Sequence, residues 1–201
     1  MPRVDTLLCD LGNVLAPFDI GRCARALGER AGRDPVEVSA QLRGPEFFAL
    51  ESGELTPPQF FAAVDARLGL GLTEEVWTEA WSDIFTIDEA MVALVERLAA
   101  RYPTYLWSNG NAVHMAHLRQ RLPVLATFRD HHLSYELGAI KPGVQFYERA
   151  LDRSGLDAAR CVFVDDVEAN LDGARALGIH TVLHRSASST ERALAALGMQ
   201  P

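Results

Sequence analysis

Residues 161–183, CVFVDDVEANLDGARALGIHTVL, decide how this chain folds. Cys161 to Val164 is an unbroken apolar run that closes on Asp165 and Asp166. The spacing that follows predicts a helix from about Ala169 to Leu177, and Ile179 to Leu183 reads as the last strand. Two short strands joined by a helix, the first of them apolar on both faces, are the mark of a parallel sheet with both faces covered. Working backward, the same alternation holds as far as Asp88. Asp88 caps a predicted helix that carries Met91, Leu94, Val95 and Leu98 on one side. Thr104 to Trp107 reads as a strand ending at Ser108, and Ala112 to Arg121 as a helix. A weaker strand is expected near His131 to Ser134, then a loop GAIKP at 138–142 and a helix from about Val144 to Arg153. A last helix is expected near Thr190 to Leu197. At the front of the chain, Val4 to Cys9 is a further apolar strand that empties into Asp10, Gly12 and Asn13.

Between that first strand and Asp88 the texture is different. Residues 20 to about 85 read as helical throughout. Asp34-Pro35 and Thr56-Pro57 each set a capping side chain before a proline at the first helical position. Arg43-Gly44-Pro45 and Ser52-Gly53 break the helices apart. The fold class expected is α/β, a Rossmann-like doubly wound parallel sheet with a small helical cap inserted after the first strand. The core domain is expected at 1–16 and 86–201, and the cap at 17–85. Such an insert shapes access to a site beyond the carboxyl ends of the strands.

Composition bounds the function. The chain has 201 residues with 27 acidic against 19 Lys or Arg, a formal net charge of −8, and no basic stripe. Nucleic acid and anionic membrane are therefore poor partners. Three cysteines, Cys9, Cys23 and Cys161, form no paired spacing, and a cytoplasmic, reducing location is expected. The opening residues carry acids too early for a signal peptide, and no apolar run reaches membrane-spanning length.

Three strands finish in polar residues: Asp10, Ser108-Asn109 and Asp165-Asp166. In a parallel sheet these tips share one edge, so residues far apart in sequence converge. Adjacent carboxylates closing an apolar strand are costly without a cation or donors. Hard oxygen ligands of this kind suit Mg²⁺, which uses a couple of carboxylates together with substrate phosphate. Lys141 is placed to balance remaining negative charge, and Ser108 with nearby backbone N–H groups to hold phosphate oxygens. Taken singly, an Asp at a strand end is equally a cap, and Ser108-Asn109-Gly110 is ordinary turn chemistry.

The pieces LLCDLGNV around Asp10, LWSN around Ser108, GAIKP around Lys141 and VFVDDVEANLDGARALG around Asp165-Asp166 resemble the haloacid dehalogenase-like hydrolase superfamily over nearly the whole chain. The resemblance implies Asp10 as nucleophile, Ser108 on the phosphoryl oxygens and Lys141 neutralising Asp10 and phosphate. It implies Mg²⁺ as cofactor, held by Asp10, the Gly12 carbonyl and Asp166, with Asp165 supporting Asp166 or its waters. Asn13, Asn109 and Asn170 are expected at the phosphate or as supports behind it. A small phosphorylated metabolite is the implied substrate, and the protein a monomer or homodimer. Most phosphatases of the superfamily carry a second Asp two residues after the nucleophile, as acid and then base; here Gly12 stands there. A D-L-G-N-V subset reads the same way and resembles sugar-phosphate phosphatases acting on glucose 1-phosphate, whose leaving group suffers less without an acid. Asp19 is a candidate substitute acid or hydroxyl ligand, or simply the cap of the next helix.

Other candidates carry weaker chemistry. His180 and His184 straddle a strand with no further ligand beside them. His114 and His117 share a predicted helix near the site. Trp77, Trp81 and Phe85 fit core spacing, and Arg22, Phe47 and Phe48 are candidate pocket residues. The function these observations imply is a Mg²⁺-dependent phosphomonoesterase working through an aspartyl phosphate. The alternatives are a metal-independent 2-haloacid dehalogenase and a catalytically weak phosphate-ligand-binding protein of the same fold.

Overall fold

A computed structural model describes residues 4–201; the first three residues of the expected core segment lie outside them. Five parallel strands form one sheet: β1 (Thr6–Cys9), β2 (Thr104–Ser108), β3 (His131–Leu133), β4 (Cys161–Asp165) and β5 (His180–Leu183). Their order is β3-β2-β1-β4-β5. β1 is central, in register with β2 through Cys9 and Leu106 and with β4 through Cys9 and Val164. The winding direction reverses at β1, so its carboxyl end opens onto the crevice where such sheets take their ligands. The parallel α/β expectation is met.

Period-two alternation divides the core. Leu7 and Cys9 of β1, with Val162 and Val164 of β4, face one hydrophobic cluster. Leu8 faces the other with Cys161 and Phe163, beside Trp107. The first cluster is closed by α6 (Glu89–Ala99), α7 (Ala112–Arg121) and α11 (Ala187–Ala196), through Met91, Leu94, Met115 and Leu194. The second is closed by α9 (Val144–Ser154) and α10 (Glu168–Arg175), through Phe146, Tyr147, Leu171 and Ala174. A doubly covered sheet follows directly from strands that are apolar on both faces.

Between β1 and α6 lie α1 (Ile20–Ala31), α2 (Pro35–Leu42), α3 (Pro45–Glu51), α4 (Pro57–Leu68) and α5 (Glu74–Ser82). The expected starts hold: Asp34 accepts from the Val36 N–H, and Gln59 accepts from the Thr56 N–H at 2.9 Å. These helices close on an aromatic cluster. Trp81 packs against Phe60 at 5.0 Å, and Phe61 stacks on Trp77 at 5.5 Å between centroids. Trp77 and Trp81 are thus core residues, each burying a large area. The chain enters and leaves this segment side by side. Phe18 and Phe85 form an antiparallel bridge, and the N–H groups of Asp19 and Thr86 donate to Ile84 and Pro17 at 2.9 and 2.8 Å.

One further helix, α8 (Ser134–Leu137), was not expected from sequence; it follows β3 directly and ends at Gly138 in the left-handed conformation. Its backbone meets the helical segment at Gly53, where φ is +80° and a Cβ would lie 2.3 Å from the Tyr135 carbonyl oxygen. Gly69 also has positive φ but faces open space. Gly69→Ala should therefore cost only the left-handed backbone penalty, about 1 kcal/mol. Gly53→Ala adds a backbone collision and should cost at least about 2 kcal/mol more than that. Denaturant melts of the two variants check the difference, and equal losses would contradict the close approach.

Candidate active site

The site starts from the tip of β1. The Asp10 N–H donates to the Val164 carbonyl at 2.9 Å, so the residue still belongs to the sheet while its side chain leaves it. Neighbouring β4 ends in Asp165, fully buried, followed by Asp166, which is partly open. Carboxylate oxygens of Asp10, Asp165 and Asp166 all lie within 4.8 Å of one another. Such crowding needs positive charge. Lys141 supplies part of it: its Nζ is 2.9 Å from Asp10 Oδ1 and 2.7 Å from Asp165 Oδ2, and donates to the Trp107 carbonyl at 3.1 Å. All three ammonium donors are thereby used.

Other side chains hold these four in place. Asp165 Oδ1 accepts from the Val167 N–H at 2.8 Å, and Asn170 Nδ2 donates to both Asp165 oxygens at 3.1 and 3.0 Å. Asn109 clasps the backbone of Lys141, accepting from its N–H at 2.9 Å and donating to its carbonyl at 3.0 Å. Its amide is thus engaged behind the site rather than turned to it. Asn13 adopts φ +53° and donates to Asp166 Oδ2 at 3.1 Å. Ser108 is buried at the tip of β2, its hydroxyl donating to the Asn109 carbonyl at 3.0 Å.

Electrostatics follow from burial. Burial pushes the Asp10 carboxyl up to about 7; Lys141 opposes that shift and the Asp165 charge adds to it. Burial works against the Lys141 ammonium, but Asp10 and Asp165 together hold its pKa above the ordinary lysine value. Three carboxylates against one ammonium leave a formal charge of −2. A divalent cation matches that charge, and the all-oxygen donor set suits a hard one.

The strand tips open into a cavity of about 390 Å³, walled by both the core and the helical segment. Asp10, Gly12, Asn13, Ser108, Asn109, Lys141, Asp166 and Asn170 line it. Asp19 stands apart. It caps α1 by accepting from the Gly21 N–H at 2.8 Å and pairs with Arg25 at 3.0 Å. Its place is that of the cap, the plainer of its two readings. Gly12 faces Phe18: a Cβ there would lie 3.1 Å from the ring. Phe47, Phe48 and Phe85 reach the cavity, whereas Arg22 pairs with Asp83 outside it at 2.8 Å. Arg43 and Glu51 also face the cavity, and the sequence reading singles out neither. Glu51 does carry a faint sequence signal, because an acid in the last turn of a helix opposes the helix dipole.

The histidines sort clearly. His184 Nδ1 meets the Thr190 hydroxyl at 2.9 Å in a buried structural contact. His117 sits by Arg121 over a different groove. His114 lines the cavity, stacked on Trp81 at 5.1 Å. Its Nε2 is 3.0 Å from the Trp81 carbonyl and its Nδ1 3.0 Å from Asn111 Nδ2, a pattern satisfied by neutral imidazole with the proton on Nε2. Burial pulls its pKa down to about 3.

Acids from two strand tips and the lysine of the loop before α9 thus meet at the carboxyl edge of a Rossmann-like sheet, where such sheets take their ligands. The chain belongs to the haloacid dehalogenase-like hydrolases, whose family profile matches residues 4–178. It is 25% identical to the D-ribitol-5-phosphate phosphatase of Bacteroides thetaiotaomicron over 186 residues, 89% of this chain and 90% of that one. A HAD family enzyme from the same bacterium, solved in complex with magnesium and inorganic phosphate, shares 28% identity. Its TM-score is 0.82, over 91% of this chain and 95% of that one. A HAD-like hydrolase structure from Porphyromonas gingivalis, at 23% identity and TM-score 0.83 over the whole of both chains, matches in fold. No helix of the described residues is long and apolar enough to cross a membrane.

The buried, neutral state of His114 has a pH consequence. Its folded pKa lies below the unfolded value of about 6.5, so the unfolded chain takes up a proton that the folded one refuses. The associated stability is present above pH 6.5 and drains away as pH falls toward 3. Replacing His114 with Gln should flatten that decline by about 1 kcal/mol between pH 6.5 and 5. Urea melts of both proteins at the two pH values measure it; parallel declines would contradict the assignment.

Proposed function

We propose that this chain is a Mg²⁺-dependent phosphomonoesterase acting on small phosphorylated metabolites, polyol or sugar phosphates among them. The observation that carries the reading is the cluster of Asp10, Asp165 and Asp166 carboxylates, drawn together on the strand tips with Lys141, among the described residues, the one cation paired with it. The named phosphatase relative and the magnesium- and phosphate-bound neighbour support it. A cavity of about 390 Å³ suits a small substrate.

Asp10, Asp166 and the Gly12 carbonyl would hold the cation, with Asp165 behind Asp166. When bound, Mg²⁺ supplies charge neutralisation between the anionic nucleophile and the anionic ester. Asp10 attacks phosphorus in line, forming an aspartyl phosphate as the ester oxygen departs, and water then hydrolyses that intermediate. Lys141 keeps Asp10 oriented and lowers the repulsion felt by the incoming phosphoryl oxygens. Ser108, buried beside it, turns its hydroxyl from the Asn109 carbonyl to a phosphoryl oxygen. Asn13 fixes Asp166 and Asn109 fixes Lys141, so the reacting groups pay little reorganisation on substrate binding.

Residues 17–85 act as the cap, closing the cavity through Phe47 and Phe48. The three cysteines are unpaired and buried, which supports a cytoplasmic, reducing compartment. A metal-free attack on carbon is the less favoured reading, because it leaves three carboxylates facing one another with a single ammonium between them.

The reading predicts phosphate release from para-nitrophenyl phosphate that needs Mg²⁺ and stops on chelation. Asp10→Asn should lower turnover by about 10³-fold or more, and Asp166→Asn should raise the Mg²⁺ concentration needed for half-maximal rate. Turnover that survives both chelation and Asp10→Asn would rule the proposal out.

A further inference from the structure

Breaking the ester bond of an alkyl or weakly acidic aryl phosphate leaves an alkoxide or phenoxide that needs a proton. Position 12, two residues past the nucleophile, is glycine and offers none. The cavity wall holds few groups that could supply it. Asp10 and Asp166 belong to the acidic cluster, and every donor of Lys141 is taken by Asp10, Asp165 and the Trp107 carbonyl. Arg43 does not give up its proton at any working pH. His114 uses both ring nitrogens, on the Trp81 carbonyl and on Asn111. That leaves Glu51.

Glu51 ends α3 and lines the cavity into which the strand tips open. Among the described residues its carboxyl makes no hydrogen bond and no ion pair, although it is partly buried and lies within electrostatic range of Lys141 and Asp10. An unpaired acid in such a place is costly unless it has work to do. Its backbone is pinned. Two residues on, Gly53 presses against the Tyr135 carbonyl, in the α8 segment that leads directly into the Lys141 loop. The helical segment is thus held at the point where Glu51 faces the core.

Resting on the phosphomonoesterase reading, we propose that Glu51 is the general acid and base of this site, doing from the helical segment what position 12 cannot do. The protonated carboxyl gives its proton to the ester oxygen as the bond from phosphorus to that oxygen breaks and the bond from Asp10 to phosphorus forms. In the second half, the Glu51 carboxylate takes a proton from the water whose oxygen bonds to phosphorus, as the phosphorus–Asp10 bond breaks. One water is consumed, the alcohol and inorganic phosphate leave, and both carboxyl groups return to their starting states. Burial pushes the Glu51 pKa up to about 7, with Lys141 opposing and Asp10 adding, so both protonation states are within reach near neutrality.

A series of aryl phosphates from para-nitrophenyl to phenyl phosphate tests this with Mg²⁺ present. Para-nitrophenoxide departs without help, whereas phenoxide gains from a proton. Glu51→Gln should keep kcat/KM for the nitrophenyl ester within about threefold, yet lose about 10²-fold or more on phenyl phosphate. The retained nitrophenyl kcat/KM, which reports the phosphorylation step and not the later hydrolysis, certifies the fold. If Glu51→Gln does not fold, Glu51→Ala with added formate serves instead, and formate should restore phenyl phosphate turnover. A loss equal across the series, no loss on phenyl phosphate, or no rescue by formate overturns the proposal. Absence of Mg²⁺-dependent phosphate release from every ester by the unaltered protein would fail the phosphatase reading itself.

Discussion

One buried ammonium organises this protein. Lys141 is 3% exposed, and its three donors end on Asp10, Asp165 and the Trp107 carbonyl, so it ties β1, β4 and β2 together at their tips. Taking such charges out of water is expensive, and the arrangement holds only where the geometry is fixed in advance. Much of the local sequence serves that end. Asn109 grips the Lys141 backbone from both sides, and Asn170 and the Val167 N–H saturate Asp165. The Phe163 ring lies 5.0 Å from the ammonium and shields it from below. The remaining negative charge is directed into the cavity, where a cation and a phosphoryl group can use it.

The sheet was legible because its central strands are mostly apolar and end abruptly in polar residues. In the 161–183 stretch β4 shows both features, and the observed β4, α10 and β5 follow its reading closely. Asp10, Lys141, Asp165 and Asp166 were legible for a related reason: parallel topology alone brings strand tips to one edge. Asn109 was harder. Its sequence neighbours mark a turn, but only the fold shows its amide spent on a loop more than thirty residues away. The four-residue α8 is too short for any periodicity to register. Glu51 was missed because periodicity reports which side of a helix is buried, not what lies across from it.

The aromatic packing of the helical segment also does more than fill space. The Trp81 ring stacks on His114 and the Trp81 carbonyl accepts a hydrogen bond from its Nε2, so a side chain of α7 is built into the wall formed by α5. Core and insert therefore share a residue whose charge state is locked by burial.

The paired stem at Pro17–Asp19 and Ile84–Thr86 governs how the two layers can move. Antiparallel tethers joined by main-chain hydrogen bonds resist sliding past each other. Helices α1–α5 are fastened to the core here and at two further places, the approach of Gly53 to Tyr135 and the stack of Trp81 on His114. Three fastenings spread around the rim fix a plane, so the wall of the cavity keeps its height above the strand tips.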